Sequence, residues 1–214
     1  MTENQDSPEE IYANRHSSPL PGYLNQLERE THLKIAKPQM LTGQVQGRLI
    51  AMFSKLIQPE KVLEIGTFTG YGTLCLAEGL QKDGEIHTLE NSEENVWLAR
   101  KYFAISPFNN QIHIHMGLAL EILPQFTCQW DLVYIDADKI NNQPYFDMVW
   151  PNIKPGGLIL IDNTFARNGV WKSPEAQKPF EKAVSELNAY LAGLAEALVV
   201  MLPLRDGLTA IRKA

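Results

Sequence analysis

Two apolar runs in this chain stop at oxygen-bearing side chains. "WDLVYIDADKINNQ" (Trp130–Gln143) ends in Asp136 and Asp138, with Lys139 next to them, and "GGLILIDNT" (Gly156–Thr164) ends in Asp162 and Asn163. Short apolar runs of this kind read as buried strands. Carboxylate and carboxamide oxygens at strand ends are donors that suit a hard cation, and a lysine amine beside them is a candidate base once it is neutral. A third feature follows an earlier run: "EIGTFTGYG" (Glu64–Gly72) spaces Gly66, Gly70 and Gly72 as G-x-x-x-G-x-G. Glycines there let the backbone approach a ligand and expose amides at a helix start. The spacing differs from the G-x-G-x-x-G of dinucleotide binders, and a purely structural turn competes with the binding reading. Glu90 ends the next apolar run, where it is placed to accept both hydroxyls of a ribose. A solvated strand end is the alternative.

These groups need elements to hold them. From Lys61 onward, strands at 61–65, 85–90, 111–116, 131–136 and 158–162 alternate with helices at 71–80, 92–104, 118–126 and near 142–150. That pattern predicts a parallel sheet with right-handed crossovers and helices on both faces. Strands at 197–202 and 208–212, joined by "PLRDG", predict an antiparallel hairpin at the sheet edge. The expected fold is therefore α/β and doubly wound, with a mostly parallel seven-stranded sheet. Ligands of such sheets bind beyond the carboxyl ends of the strands, near the reversal of strand order, and each polar group named above lies at such an end. Ahead of the sheet, residues 23–36 carry Leu24, Leu27 and Leu33 at helical spacing. Residues 43–57 form a stronger amphipathic helix with Val45, Leu49, Met52, Phe53, Leu56 and Ile57 on one side. Ser92 is the expected N-cap of the helix that follows Glu90. Residues 174–190 predict a sheet-covering helix. Residues 1–20 are polar and read as a mobile tail, which leaves 21–214 as one domain with a helical cap over 21–58.

The length of 214 residues suits one domain. A net charge of −6, from 19 basic and 25 acidic residues, argues mildly against a dedicated nucleic-acid binder. Cys75 and Cys128 form no C-x-x-C and read as small hydrophobes in a reducing compartment. The acidic N-terminus is unlike a signal peptide, and no apolar run reaches the roughly 18 residues of a membrane span. The chain reads as cytoplasmic and soluble. His113 and His115 share a strand face, but a plain strand face explains them without a metal.

Taken together, "VLEIGTFTGYG", "LENSEEN", "GLALEIL", "YIDADK" and "GGLILIDNT" resemble the small, metal-dependent class I O-methyltransferases, the family of the catechol and caffeoyl-coenzyme A enzymes. The similarity spans roughly residues 41–171, with a weaker match in "LPLRDGLTAIR". It implies a Rossmann-like methyltransferase fold that binds S-adenosylmethionine across the sheet edge. Gly66 and Thr67, supported by Glu64, with Tyr71 and Gly72, would face the methionine part. Glu90 and Asn91 would hold the ribose, and Gly117, Ala119 and Leu120 would lie beside the adenine. Met40, Leu41 and Thr42 would line the site from the N-terminal side, and Asp136 would close it. Gly72 stands where the family commonly has Ser, so a hydroxyl that could contact the cofactor carboxylate is missing.

The same resemblance makes Asp136, Asp162 and Asn163 ligands of magnesium, or of calcium or manganese, and makes a catechol-like vicinal diphenol the acceptor. A phenol has a pKa of about 10, so ionising it at pH 7 costs roughly 4 kcal/mol, which a dication can offset. Lys139 matches the catalytic lysine, and a dication nearby would favour its neutral, basic form. Asp138 is open between a partner for Lys139, a substrate contact and a helix cap. Phe165, Arg167 and Trp171 either wall the acceptor pocket or pack their own loop. The resemblance also implies a homodimer. Competing readings are methylation of a hydroxylated uridine in transfer RNA, an NAD-dependent oxidoreductase, and a non-catalytic nucleotide binder.

Overall fold

Strand order reverses beside β1, and that reversal places the site. The computed structural model describes residues 7–214. Its strands are β1 (Lys61–Ile65), β2 (Glu85–Glu90), β3 (Ile112–Met116), β4 (Trp130–Ile135), β5 (Ile153–Asp162), β6 (Ala197–Leu202) and β7 (Leu208–Lys213), arranged β3-β2-β1-β4-β5-β7-β6. β1 runs parallel to β2 on one side and to β4 on the other. β7 is antiparallel to both β5 and β6. The expected seven-stranded, mostly parallel sheet with a C-terminal hairpin is the one observed.

Alternation along the strands divides the core in two. Val62, Ile86, Leu132 and Leu160 face α2 (Gly22–Lys34), α3 (Gln44–Ile57), α4 (Tyr71–Ala77) and α5 (Glu93–Ile105). Leu63, Ile65, Val133, Ile159 and Ile161 face α7 (Asn142–Val149) and α8 (Pro179–Ala192). A short helix α6 (Ala119–Ile122) follows β3. Among the described residues, no helix is long and apolar enough to cross a membrane. Both cysteines are free, Cys75 buried and Cys128 half-buried.

Four local expectations change. No element was expected within residues 1–20, yet α1 (Pro8–His16) forms there, with Ser7 and Glu10 exchanging capping-box hydrogen bonds. Residues 1–6 lie outside the described residues. In α2, Leu24 and Leu27 are buried as expected, but Leu33 is exposed. Thr31 takes the inner position and donates to Thr69 at 3.1 Å. α3 is rotated from the expected stripe: Leu49, Phe53 and Ile57 still pack against the core, but the most buried line is another. Gln46, Gly47, Ile50, Ala51 and Ser54 are buried, whereas Met52 and Leu56 are exposed. The cause is close approach to α4: a Cβ on Gly47 would lie 2.8 Å from the Tyr71 ring, and Ser54 Oγ donates to the Leu76 carbonyl. Ser92 stands at the N-cap position but makes no side-chain cap, and its N–H donates to Glu90.

Candidate active site

The strand ends meet where β1 lies between β2 and β4. Backbone bonds continue past the strands: Gly66 N–H donates to Leu89 O at 3.0 Å, Asp136 N–H to Ile65 O at 2.9 Å, and Gly117 N–H to Glu90 O at 2.9 Å. Gly66 has φ +105°, and a Cβ there would sit 2.1 Å from the Asp136 carbonyl oxygen. This glycine is required by close approach of two chain segments. Gly70, at φ +87°, starts α4.

A narrow cleft open to solvent is lined by Met40, Leu41, Thr42, Glu64, Gly66, Thr67, Tyr71, Gly72 and Asp136. Those are nine of the residues expected around a cofactor. Phe68 and Tyr134 line it as well and escaped the sequence reading. Tyr134 sits in an ordinary-looking apolar strand, so only the pairing of β4 with β1 reveals it. Glu90, Asn91, Gly117, Ala119 and Leu120 stand at the neighbouring ends of β2 and β3, outside this cavity. A larger hollow of about 300 Å³ between α8 and the hairpin is lined chiefly by apolar residues such as Leu191, Leu194, Val199 and Met201, and none of the predicted site residues reach it.

Glu90 is fixed by backbone donors: Phe68 N–H at 2.7 Å on one oxygen, Asn91 and Ser92 N–H at 3.1 and 2.9 Å on the other. The oxygen bonded to Phe68 keeps a lone pair free for a further donor, whereas Asn91 and Ser92 occupy both lone pairs of the other. Glu64 is 1% exposed and accepts from the hydroxyls of Thr73 and Thr88 on one oxygen. A Cβ at Gly72 would lie 2.7 Å from its other oxygen. The glycine therefore makes room for this carboxyl, which occupies the space that a serine side chain would need.

Burial pushes the Glu64 carboxyl up to about 8 from its ordinary 4.5, against the pull of the two threonine hydroxyls. The folded chain then holds a proton that the unfolded chain releases between those values. Stability is full below about pH 4.5 and falls as pH rises toward about 8. Without ligands, Glu64→Gln is expected to flatten that decline, on the order of a few kcal/mol across the window. Melting temperatures of both proteins between pH 5 and 8 check this, and parallel curves would refute it.

Asp162 is 4% exposed. Its Oδ2 accepts from Gln46 Nε2 at 2.7 Å and Tyr134 Oη at 2.8 Å, and its Oδ1 from Asn163 N–H at 2.7 Å. Burial first, then the charge of Asp136, push its carboxyl up, while Lys139 and the hydrogen bonds oppose the rise. Asp136 Oδ1 in turn accepts from Lys139 Nζ at 2.9 Å. Asn163 follows with φ 58°, and Ala166, Arg167 and Asn168 are also left-handed. For side chains with a Cβ this backbone is strained, a feature common at functional loops. Two carboxylates close enough to repel and an amide residue next to Asp162 suit a divalent cation held by oxygen, with the lysine amine on Asp136. Among the described residues, no group of three or more His, Cys, Asp or Glu is arranged to hold a metal. The set here counts two carboxylates and one carboxamide.

Asp138 belongs elsewhere. Its oxygens accept from Tyr145 Oη and Asn141 Nδ2, so it organises the start of α7 and leaves Lys139 to Asp136. Phe165 and Trp171 pack on each other at 5.3 Å, and Arg167 N–H donates to Asp206 at 2.7 Å. His115 and His113 meet an unforeseen neighbour, His87 of β2, which hydrogen-bonds His115 at 2.9 Å and Glu85 at 2.8 Å.

Known proteins are similar to this chain in sequence and fold. The sequence profile of the O-methyltransferase family matches residues 14–214. Caffeoyl-CoA O-methyltransferase 2 of Petunia hybrida is 31% identical over 185 residues, covering 81% of this chain and 76% of its own. The catechol O-methyltransferase of Niastella koreensis is 31% identical over 158 residues, covering 72% and 71%. Among solved structures, the O-methyltransferase TomG of Streptomyces achromogenes, in complex with SAM, superimposes with a TM-score of 0.89 at 25% identity over 96% of both chains. The Bacillus cereus O-methyltransferase in complex with SAH gives 0.87 at 26% identity over 96% and 97%. The family profile runs through the glycine loop, the paired acids and the C-terminal hairpin alike, and this chain belongs to the O-methyltransferase family.

Proposed function

We propose that the protein transfers a methyl group from S-adenosylmethionine to one hydroxyl of a catechol-like acceptor, with the help of a divalent cation. The observation that carries this reading is the adjacency of two things: a cavity walled by Glu64, Gly66 and Asp136, and the Asp136–Asp162–Lys139 group that begins at its edge. Solved relatives bound to SAM or SAH support the cofactor, and the names of the plant and bacterial relatives support a vicinal diphenol.

In this reading Glu64, Gly66, Thr67, Tyr71 and Gly72 hold the methionine part and Glu90 the ribose, with the adenine beside Gly117, Ala119 and Leu120. Asp136, Asp162 and Asn163 would hold magnesium or a similar ion. When bound there, the ion supplies positive charge that favours the ionised hydroxyl by several kcal/mol. Lys139 takes the hydroxyl proton. The oxygen then forms its bond to the methyl carbon as the carbon–sulfur bond breaks, leaving S-adenosylhomocysteine as a neutral thioether. Alignment of oxygen, methyl and sulfur supplies much of the rate. The protein acts as a homodimer in this reading, and exposed Leu198 and Val200 on the outer strand β6 offer apolar surface for it. A monomer by light scattering would contradict that part.

The test is methyl transfer from labelled S-adenosylmethionine to catechol and to a caffeoyl thioester, with magnesium and with excess chelator. Product that vanishes on chelation is expected. Turnover untouched by chelator would remove the metal from the proposal, and inactivity on both acceptors would remove the acceptor class.

A further inference from the structure

Arg205 stands in the tight turn between β6 and β7, where Gly207 N–H closes back on Leu204 O at 2.9 Å. Its φ of 49° is left-handed. For a residue with a Cβ, that conformation costs about 1 kcal/mol or more, and glycine would adopt it freely. The side chain explains the presence of arginine. Its Nη1 donates to the carbonyl of Leu41 at 2.9 Å and to that of Thr42, and its Nε lies 3.5 Å from Glu10 of α1. Among the described residues, no backbone N–H donates to either carbonyl. Leu41 and Thr42 line the cavity, on a connection between α2 and α3 that has little regular structure of its own.

The neighbouring turn residues grip the opposite side of the site. Asp206 O accepts from Phe165 N–H at 2.8 Å and its carboxylate from Arg167 N–H, while Gly207 O accepts from Thr164 N–H at 3.1 Å. One turn of four residues thus holds both the wall at 41–42 and the strained loop that follows Asp162 and Asn163.

We propose that Arg205 is a positioning residue for cofactor binding: its guanidinium clamps the Leu41–Thr42 backbone against the cofactor and ties that wall to the loop after Asn163. The proposal rests on the cofactor reading given above. Two donors on consecutive carbonyls fix the direction of a connection that otherwise keeps many conformations. Without them the wall must be ordered each time cofactor binds, which weakens affinity.

The test is calorimetric titration of S-adenosylhomocysteine into the full chain, with thermal melting alongside. Arg205→Gly is expected to raise Kd about tenfold, the scale of one or two lost charge-assisted hydrogen bonds. It should melt no lower than the parent, because glycine relieves the left-handed turn. Arg205→Lys, which keeps a cation within reach of one carbonyl, should recover part of the affinity. A lower melting temperature with parental Kd would make the contact structural only and overturn the proposal. If the parent itself failed to bind, the cofactor reading would fall and this one with it. Parental binding matched by Arg205→Gly would overturn the clamp alone.

Discussion

Turnover of Asp162→Ala is expected to fall by about a thousandfold or more, with affinity for S-adenosylhomocysteine within a few-fold of the parent. The magnitude follows from the acceptor. A phenol of pKa about 10 lies three units above neutral pH, roughly 4 kcal/mol, and the cation held in part by Asp162 is what offsets it. Asp162 does not line the cavity, so cofactor binding should survive. Alanine has a structural cost as well. It strips the acceptor from buried Gln46 and Tyr134, at about 1–3 kcal/mol for each stranded donor. Asp162→Asn reduces the structural cost, because its amide oxygen can still accept from Gln46 and Tyr134, and only the charge and the bond from Asn163 N–H are lost. It should melt above the alanine variant, bind manganese much more weakly than the parent, and turn over as poorly as the alanine variant. Parental activity in Asp162→Asn with magnesium would show that the metal assignment is wrong.

Lys139→Met should lower kcat by about 10²–10⁴-fold, the usual contribution of a positioned base, and leave the Kd of S-adenosylhomocysteine unchanged. Arginine at 139 should not rescue, since a guanidinium stays protonated and cannot accept the hydroxyl proton. The pH dependence distinguishes a base from a mere positive charge. Near pH 7 the acceptor needs help to ionise, but toward its own pKa of about 10 it ionises unaided. The ratio of parental to variant rate should therefore shrink as pH rises from 7 to 9.5. A ratio constant across that range would assign Lys139 an electrostatic or orienting part, exerted through its 2.9 Å contact with Asp136.

Much of this could be read from local sequence. The strands at 61–65 and 85–90 end where the alternation of apolar runs and turns says they should, at the glycine loop and at Glu90. Gly66 was legible for a related reason, since glycine between a strand and a helix marks a close approach. The α3 helix and the packing of Leu49, Phe53 and Ile57 follow from the sequence, but its rotation does not, because hydrophobicity identifies an apolar stripe without saying what faces it. Gly47 and Ser54 let α4 come close, and that contact outweighed burial of Met52 and Leu56. Asp138 was left open in the sequence because its partners Asn141 and Tyr145 are chosen by the local path of the chain into α7.

By itself the sequence determined the class of fold, the order of its elements and the chemical character of the site: carboxylates, an amide, a lysine and a glycine loop, each at a strand end. These are local properties, set by side-chain period and by residue type within a few positions. Which of those groups meet was decided only by the tertiary structure. Parallel pairing of β1 with β4 brings Asp136 beside Gly66, and inward rotation of α3 brings Gln46 to Asp162 across 116 positions. The β6–β7 turn carries Arg205 to Leu41 across 164 positions. Such contacts depend on sheet order and helix rotation, which the packing of the whole core selects.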